Sequence, residues 1–441
     1  MARDTPASLR SASIYQVFVR NWSGEGTFDA ALPSIDAAAR MGFDILYLTP
    51  IHPVGRVARK GSAGSPYAIA DYRAVEPSLG GEAAFKRFLD AAHSRGLKVI
   101  IDVVFNHTSP DSVLSREHPQ WFWKGPDGRP APRFPEWSDV VDLDYSHPEL
   151  REYLFETLIH WLRFGVDGFR CDVASMVPVD FWVEARRRCA VEATKGPGFH
   201  ACLWLAESVH LGFIEHLRAQ GHAAACDAEL HEAFDLSYDY DGREALEAAW
   251  AGRAPLSRYL DHLRLQKTML PAHAVKARFL ENHDQARAAG RFGRGAILRN
   301  WTLFAMLLEG CFLAYMGQER AIARRPSLFE VDPVPWTEGD DSFEPWFTKA
   351  HSVTKAIRAR EECFAATEIA DGLVLVERSG GPRPVSALLN LRGLSGTVAL
   401  PSGCSLSGRD LLTGAPVMLS GRIEIASEPI LVEAGVPLTR P

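Results

Sequence analysis

Gly168-Phe169-Arg170-Cys171-Asp172 reads as the end of a buried β-strand carrying an arginine and a carboxylate two residues apart. Strand side chains alternate faces, so Arg170 and Asp172 point the same way. Such a pair can also be a solvated ion pair on a surface. The apolar flanks here, Val166 before and Val173-Ala174 after, favour an interior strand. An arginine beside Asp172 is expected to keep that carboxylate ionised, and an ionised carboxylate can act as a nucleophile.

Outward from this stretch, short apolar runs alternate with longer amphipathic ones. Residues 13–19, 44–48, 98–105, 168–173, 201–206, 275–280 and 311–316 read as buried strands. Residues 32–41, 82–94, 148–164, 179–192 and 299–308 read as the helices between them, the third opened by Ser146-His147-Pro148. A sixth strand falls near either 223–227 or 233–238. Alternation of this length makes parallel βα units, and about eight of them close a (β/α)8 TIM barrel. Residues 109–143, rich in Pro, Gly and Trp, break the rhythm directly after the third strand, where barrels place functional insertions. From about Glu368 short alternating runs lie between Gly, Pro and Ser turns. The expected organisation is a catalytic barrel over 1–107 and 144–365, a short insertion over 108–143, and a C-terminal all-β sandwich over 366–441.

Polar residues gather where the strands finish: Asp102 to His107 after the third, Arg170 and Asp172 on the fourth, Glu207 after the fifth, and Glu281 to Asp284 after the seventh. A parallel barrel brings all of these termini to one rim. Three carboxylates (Asp172, Glu207, Asp284) with His107, His283 and Arg170 would then line one pocket. That set suits displacement at an anomeric carbon, in which one ionised carboxylate attacks and a second, protonated, carboxyl serves the leaving oxygen. Glu207 follows the apolar run Leu203 to Ala206, whose desolvation is expected to raise its pKa as an acid requires.

These residues resemble the α-amylase superfamily, glycoside hydrolase family 13. Its four short regions match Asp102–His107, Gly168–Asp172, Leu205–Glu207 and Phe279–Asp284 in order, spacing and strand context. The likeness runs from about Ile14-Tyr15 to Gln318-Glu319. It implies a retaining glycoside hydrolase that cleaves α-1,4-glucosidic bonds of maltooligosaccharides, starch or other α-glucans through a covalent glycosyl-enzyme intermediate. Asp172 would be the nucleophile, Glu207 the acid/base and Asp284 the transition-state stabiliser. Tyr67, Asp102, His107, Arg170 and His283 would bind the attacked sugar, with Asp102 also supporting the site and Tyr67 stacking on the ring. The alternatives are a transglycosylase or α-glucosidase of the same superfamily, or a barrel that only binds carbohydrate. A metal-dependent hydrolase is disfavoured by Arg170 in the same pocket.

The chain departs from the family pattern at Ser175-Met176, where a Lys-His pair usually contacts the leaving-group side and the histidine backbone helps to bind calcium. Asn106 matches the family's calcium-ligand asparagine, and Asp127, Asp139, Asp142 and Asp144 could add oxygen ligands. The insertion is short for that role, and loop aspartates are more often turn formers. No cofactor is expected to be required, and Ca2+ at Asn106 is the alternative.

Composition sets outer bounds. The 441 residues are 46% hydrophobic and 23% charged with a net charge of −7, which suits neither a nucleic-acid nor an anionic membrane partner. The first residues contain no apolar signal segment and no run is long enough to span a membrane, so a cytoplasmic protein is expected. The seven cysteines are scattered without metal or disulfide spacing, which fits reduced thiols.

Overall fold

A computed structural model describes residues 2, 4–195, 201–360, 363–381 and 383–434. Eight strands form a closed barrel: β1 (Ser13–Val17), β2 (Ile45–Leu48), β3 (Lys98–Val103), β4 (Gly168–Cys171), β5 (Leu203–Ala206), β6 (Leu236–Tyr238), β7 (Val275–Arg278) and β8 (Cys311–Tyr315). Each pairs in parallel with its sequence neighbours, and β8 closes on β1. The sixth strand is the later of the two expected stretches. Leu236 and Tyr238 face the barrel interior there, whereas the earlier stretch leads into a short helix, Asp227–Leu230.

Alternation decides what each strand contributes. Ile100 on β3, Leu203 and Leu205 on β5, and Leu236 on β6 fill the barrel interior. Their neighbours Val99, Ile101, Trp204 and Ala206 face the outer helices. Gly168 starts β4 because a Cβ there would lie 2.2 Å from the Leu203 carbonyl oxygen on β5. The helix Pro148–Phe164 has proline in its first turn and ends on Gly165 in the left-handed conformation, two conventional terminus signals.

The insertion between β3 and that helix is rooted by a two-stranded antiparallel pair, His107–Thr108 with Val141–Asp142. Trp121 and Phe122 are buried in the main core and Phe134 packs with Val173, Met176 and Val209, so these rings anchor the insertion to the barrel. After the helix Phe343–Arg358 the chain becomes all-β. A six-stranded antiparallel sheet runs in the order 363–370, 373–379, 385–390, 430–434, 405–410, 416–420, and a two-stranded sheet pairs 397–399 with 422–424. Leu373, Leu375, Leu388, Leu400, Leu406, Ile423 and Val432 form a core shared by the two sheets. This module is bonded to the barrel helix Ala296–Leu307. Trp301 donates its indole N–H to the Leu391 carbonyl (3.0 Å), and the Asn300 side chain accepts from Asn390 N and donates to the Ser427 carbonyl, both at 2.8 Å.

Candidate active site

The C-terminal ends of β3, β4, β5 and β7 bring the sequence-predicted residues to one rim. The register pairs Asp102 on β3 directly with Arg170 on β4. Arg170 is fully buried and meets three carboxylates. Its Nη1 lies 2.8 Å from Asp102 Oδ1 and 2.9 Å from Asp172 Oδ1, and its Nη2 lies 2.9 Å from Glu207 Oε2. Arg170 is thus the hub of the site rather than the companion of Asp172 alone.

This sharing corrects two expectations. Asp102 and Arg170 both have 0% exposure, so neither is open to a sugar; they position the groups that are. Asp102 also accepts hydrogen bonds from the hydroxyls of Tyr47 (2.6 Å) and Tyr67 (3.0 Å). Nor does Arg170 hold Asp172 in the ordinary carboxylate range. Burial, and then the charge of Glu207, raise the Asp172 pKa well above it despite the guanidinium. Asp102 is pushed up to about 6, chiefly by burial. One cation facing several buried carboxylates retains protons in the cluster, and those protons belong to the coupled set rather than to one oxygen.

Glu207 reaches the rim directly after β5, and its Oε2 accepts from the backbone N–H of Val173 at 2.8 Å. Val173 has φ +42°, ψ +43°, left-handed backbone that a β-branched residue adopts only at a cost. That turn aims the amide at Glu207. Beyond it, Ser175 accepts from Val209 N (3.2 Å) through its hydroxyl, and Met176 packs with Phe134, Val209 and Leu217. Both are buried, so the positions of the family's Lys-His pair form part of the wall here.

The two histidines are held neutral. Asn106 donates to His107 Nδ1 (3.1 Å), which leaves Nε2 to carry the proton 3.9 Å from Asp172 Oδ2. Burial lowers the His107 pKa to about 4. Gln16 donates to His283 Nδ1 (2.6 Å), and Nε2 faces Asp284 Oδ2 at 3.0 Å and the Tyr67 hydroxyl. Burial, and then Arg170, bring His283 down to about 3. Tyr67 stacks on the His283 ring, centroids 5.5 Å apart. The Asp284 side chain is 35% exposed and opens into the cleft.

Asn106 turns its amide nitrogen to His107, and of the four loop aspartates Asp142 keeps one buried carboxylate oxygen, Oδ1, without a hydrogen-bond partner. Asp139 pairs with Lys60 at 2.7 Å and Asp142 with Arg133 at 3.5 Å, while Asp127 and Asp144 cap the backbone amides of Arg129 and Ser146. Cationic side chains thus lie beside two of the four, Asp139 and Asp142. No group of three or more His, Cys, Asp or Glu suited to a metal occurs among the described residues.

Sequence reading missed three contributors. Tyr47 and Gln16 lie on strands read only as barrel wall, and nothing local distinguishes them from interior packing. The left-handed turn at Val173 has no sequence signal, since glycine or asparagine would be expected there.

A parallel eight-stranded barrel with a carboxylate cluster at its C-terminal rim defines the class of α/β-barrel proteins that carry acid chemistry on loop ends. The α-amylase catalytic-domain model matches residues 19–127 and 134–361, and the chain belongs to that family. A solved α-amylase from Lactobacillus plantarum is 39% identical with a TM-score of 0.90, the match covering 98% of this chain and 100% of that one. α-Amylase MalA of Haloarcula japonica is 28% identical over 431 residues. An α-1,4-glucan:maltose-1-phosphate maltosyltransferase of Pseudomonas aeruginosa is 38% identical over 198 residues. Those matches cover 93% and 39% of this chain, and they span only 59% and 30% of the two relatives. Among the described residues no helix is long and apolar enough to cross a membrane.

Proposed function

We propose that the protein hydrolyses α-1,4-glucosidic bonds of maltooligosaccharides or related α-glucans, with retention of configuration. Asp172 attacks the anomeric carbon and Glu207 protonates the departing oxygen. The glycosyl ester on Asp172 then forms, and Glu207 takes a proton from the incoming water as that ester is cleaved. Asp284, open to the cleft beside neutral His283, binds sugar hydroxyls and stabilises the developing positive charge at the ring.

The observation that carries this reading is the single guanidinium of Arg170 in contact with both Asp172 and Glu207. A shared bridge holds the two carboxyls close. Nucleophile and acid in retaining enzymes stand ~5–5.5 Å apart, against ~6.5–9.5 Å where a water must fit between them.

A second reading, transfer of the glycosyl unit to another sugar or to phosphate, is favoured by the likeness to a maltosyltransferase over 198 residues. Its first half-reaction is the same, and only the acceptor differs. Incubation with maltotetraose separates the two: hydrolysis yields shorter sugars only, whereas early longer oligosaccharides indicate transfer. Asp172→Asn turning over glucan at the native rate would overturn both.

A further inference from the structure

The rim is built unevenly. After β5 and β6, on the side of Glu207, the chain returns to a helix within residues 207–210 and 239–242. Two long segments stand on the other side, 49–80 after β2 and 316–342 after β8, and a third, 104–147 after β3, spans between the sides, its Phe134 packing on Val209 and Phe213 beyond Glu207. The closed strand order sets β1, flanked by β8 and β2, across the barrel from β5.

The three segments are strapped together. At the tip of the β2 segment, Lys60 Nζ pairs with Asp139 of the insertion at 2.7 Å and donates to the Glu136 carbonyl at 3.0 Å. Two residues on, Ser62 N lies 3.1 Å from both carboxylate oxygens of Glu330 on the β8 segment, and the Ser62 hydroxyl also meets Glu330. Ala63 N donates to the Phe329 carbonyl at 3.0 Å, and Arg20 donates to the carbonyls of Gly64 and Leu328. Gly61 lies between the straps with φ +68°, and a Cβ there would sit 2.5 Å from the Phe329 carbonyl oxygen, so the tip is seated directly on the β8 segment. One hairpin tip therefore bridges the insertion to the β8 segment over the position of β1.

We infer that this strapped wall closes the non-reducing-end side of the cleft, so that the enzyme removes a short unit of fixed length from chain ends instead of cutting within chains. The inference rests on the roles proposed for Asp172 and Glu207. The acid marks the side on which the leaving sugar departs. The remainder of a bound chain leaves the attacked ring on the opposite side, through its 4-oxygen, and that direction runs into the wall. On the Glu207 side the turns after β5 and β6 are short and only the part of the insertion around Phe134 reaches them, so the leaving chain departs past that contact. Endo attack needs both sides open; this rim opens one.

The test compares maltoheptaose with the same oligosaccharide carrying a benzylidene cap on its non-reducing glucose. The native enzyme is expected to release one product of constant length from uncapped substrate from the earliest times. It should cut the capped form on the order of 10-fold more slowly or worse, since the cap has no space against the wall. Lys60→Ala combined with Glu330→Ala removes the side-chain straps of Lys60 and Glu330 at exposed or half-exposed positions, loosens the tip, and should raise the ratio of capped to uncapped rates several-fold. Equal rates on both substrates, with a spread of product lengths, would overturn the wall alone. Turnover of neither would overturn the glucan reading and this inference with it.

Discussion

Replacing Arg170 by methionine keeps an unbranched side chain of similar reach but removes a fully buried cation that meets Asp102, Asp172 and Glu207 together at 2.8–2.9 Å. Loss of one partner from a buried pair typically costs about 3–5 kcal/mol, because the remaining charge has neither water nor a counter-ion. Here several carboxylates share that fate, and they will take up protons in preference to remaining charged. The sign with pH follows. Burial already puts Asp102 near 6 and Asp172 well above its ordinary value. Without Arg170 both rise further. A carboxyl whose folded pKa is raised contributes its full stability below the unfolded value, about 3.9, and loses it as the pH climbs through the folded value. The deficit of Arg170→Met relative to the native protein should therefore be small near pH 5 and reach about 3–5 kcal/mol near pH 8. Urea unfolding of both proteins across that range measures it. A variant as stable as the native protein at pH 8, or a deficit constant with pH, would refute the hub reading.

Other outcomes follow from the same site. The acid limb of kcat/KM should titrate above the ordinary carboxylate range, since burial and the charge of Glu207 raise the Asp172 pKa and activity is lost as the nucleophile takes up a proton. Tyr47→Phe, which removes a hydrogen bond to Asp102, should move that limb upward, and a limb at 4 or below in both proteins would contradict the raised values. Glu207→Gln should lower kcat on maltooligosaccharides roughly 10²–10⁴-fold, with a smaller loss on glucosides whose leaving group needs no proton, such as a dinitrophenyl glucoside; equal losses on both would remove Glu207 from the acid role. Treatment with EDTA should leave activity and thermal midpoint unchanged, because Lys60 and Arg133 pair with Asp139 and Asp142 of the insertion; a fall restored by added Ca2+ would establish a site.

The strands that bear the site were legible because each is fully apolar on one face and carries its polar residue at its C-terminal end, as Lys98–Val103 and Gly168–Cys171 do. The helices Arg243–Trp250 and Ser257–Met269 were not expected. The second is so rich in Arg, Asp, His and Lys that only a narrow apolar stripe, Tyr259, Leu260 and Leu263, marks its buried face, and the first is only eight residues long. The strands Ser405–Asp410 and Pro416–Ser420 escaped for the complementary reason: at the margin of the sheet they are mostly exposed and carry little apolar signal. Within the site, sequence order named the carboxylates but not their sharing of Arg170, which comes from the register of β3 against β4, residues far apart in the chain. The ionisation of Asp172 was misjudged because counting one neighbour omits burial and the carboxylate arriving from β5.

The bonds between the helix Ala296–Leu307 and the C-terminal sheets bear on how the protein can be cut and fused. A barrel ending before Cys363 would expose the buried Trp301 ring, leave its indole N–H without the Leu391 acceptor, and strip Asn300 of its bonds to Asn390 and Ser427. The natural seam for swapping modules between relatives therefore runs not through the linker but around this helix, which must travel with the sheets it serves.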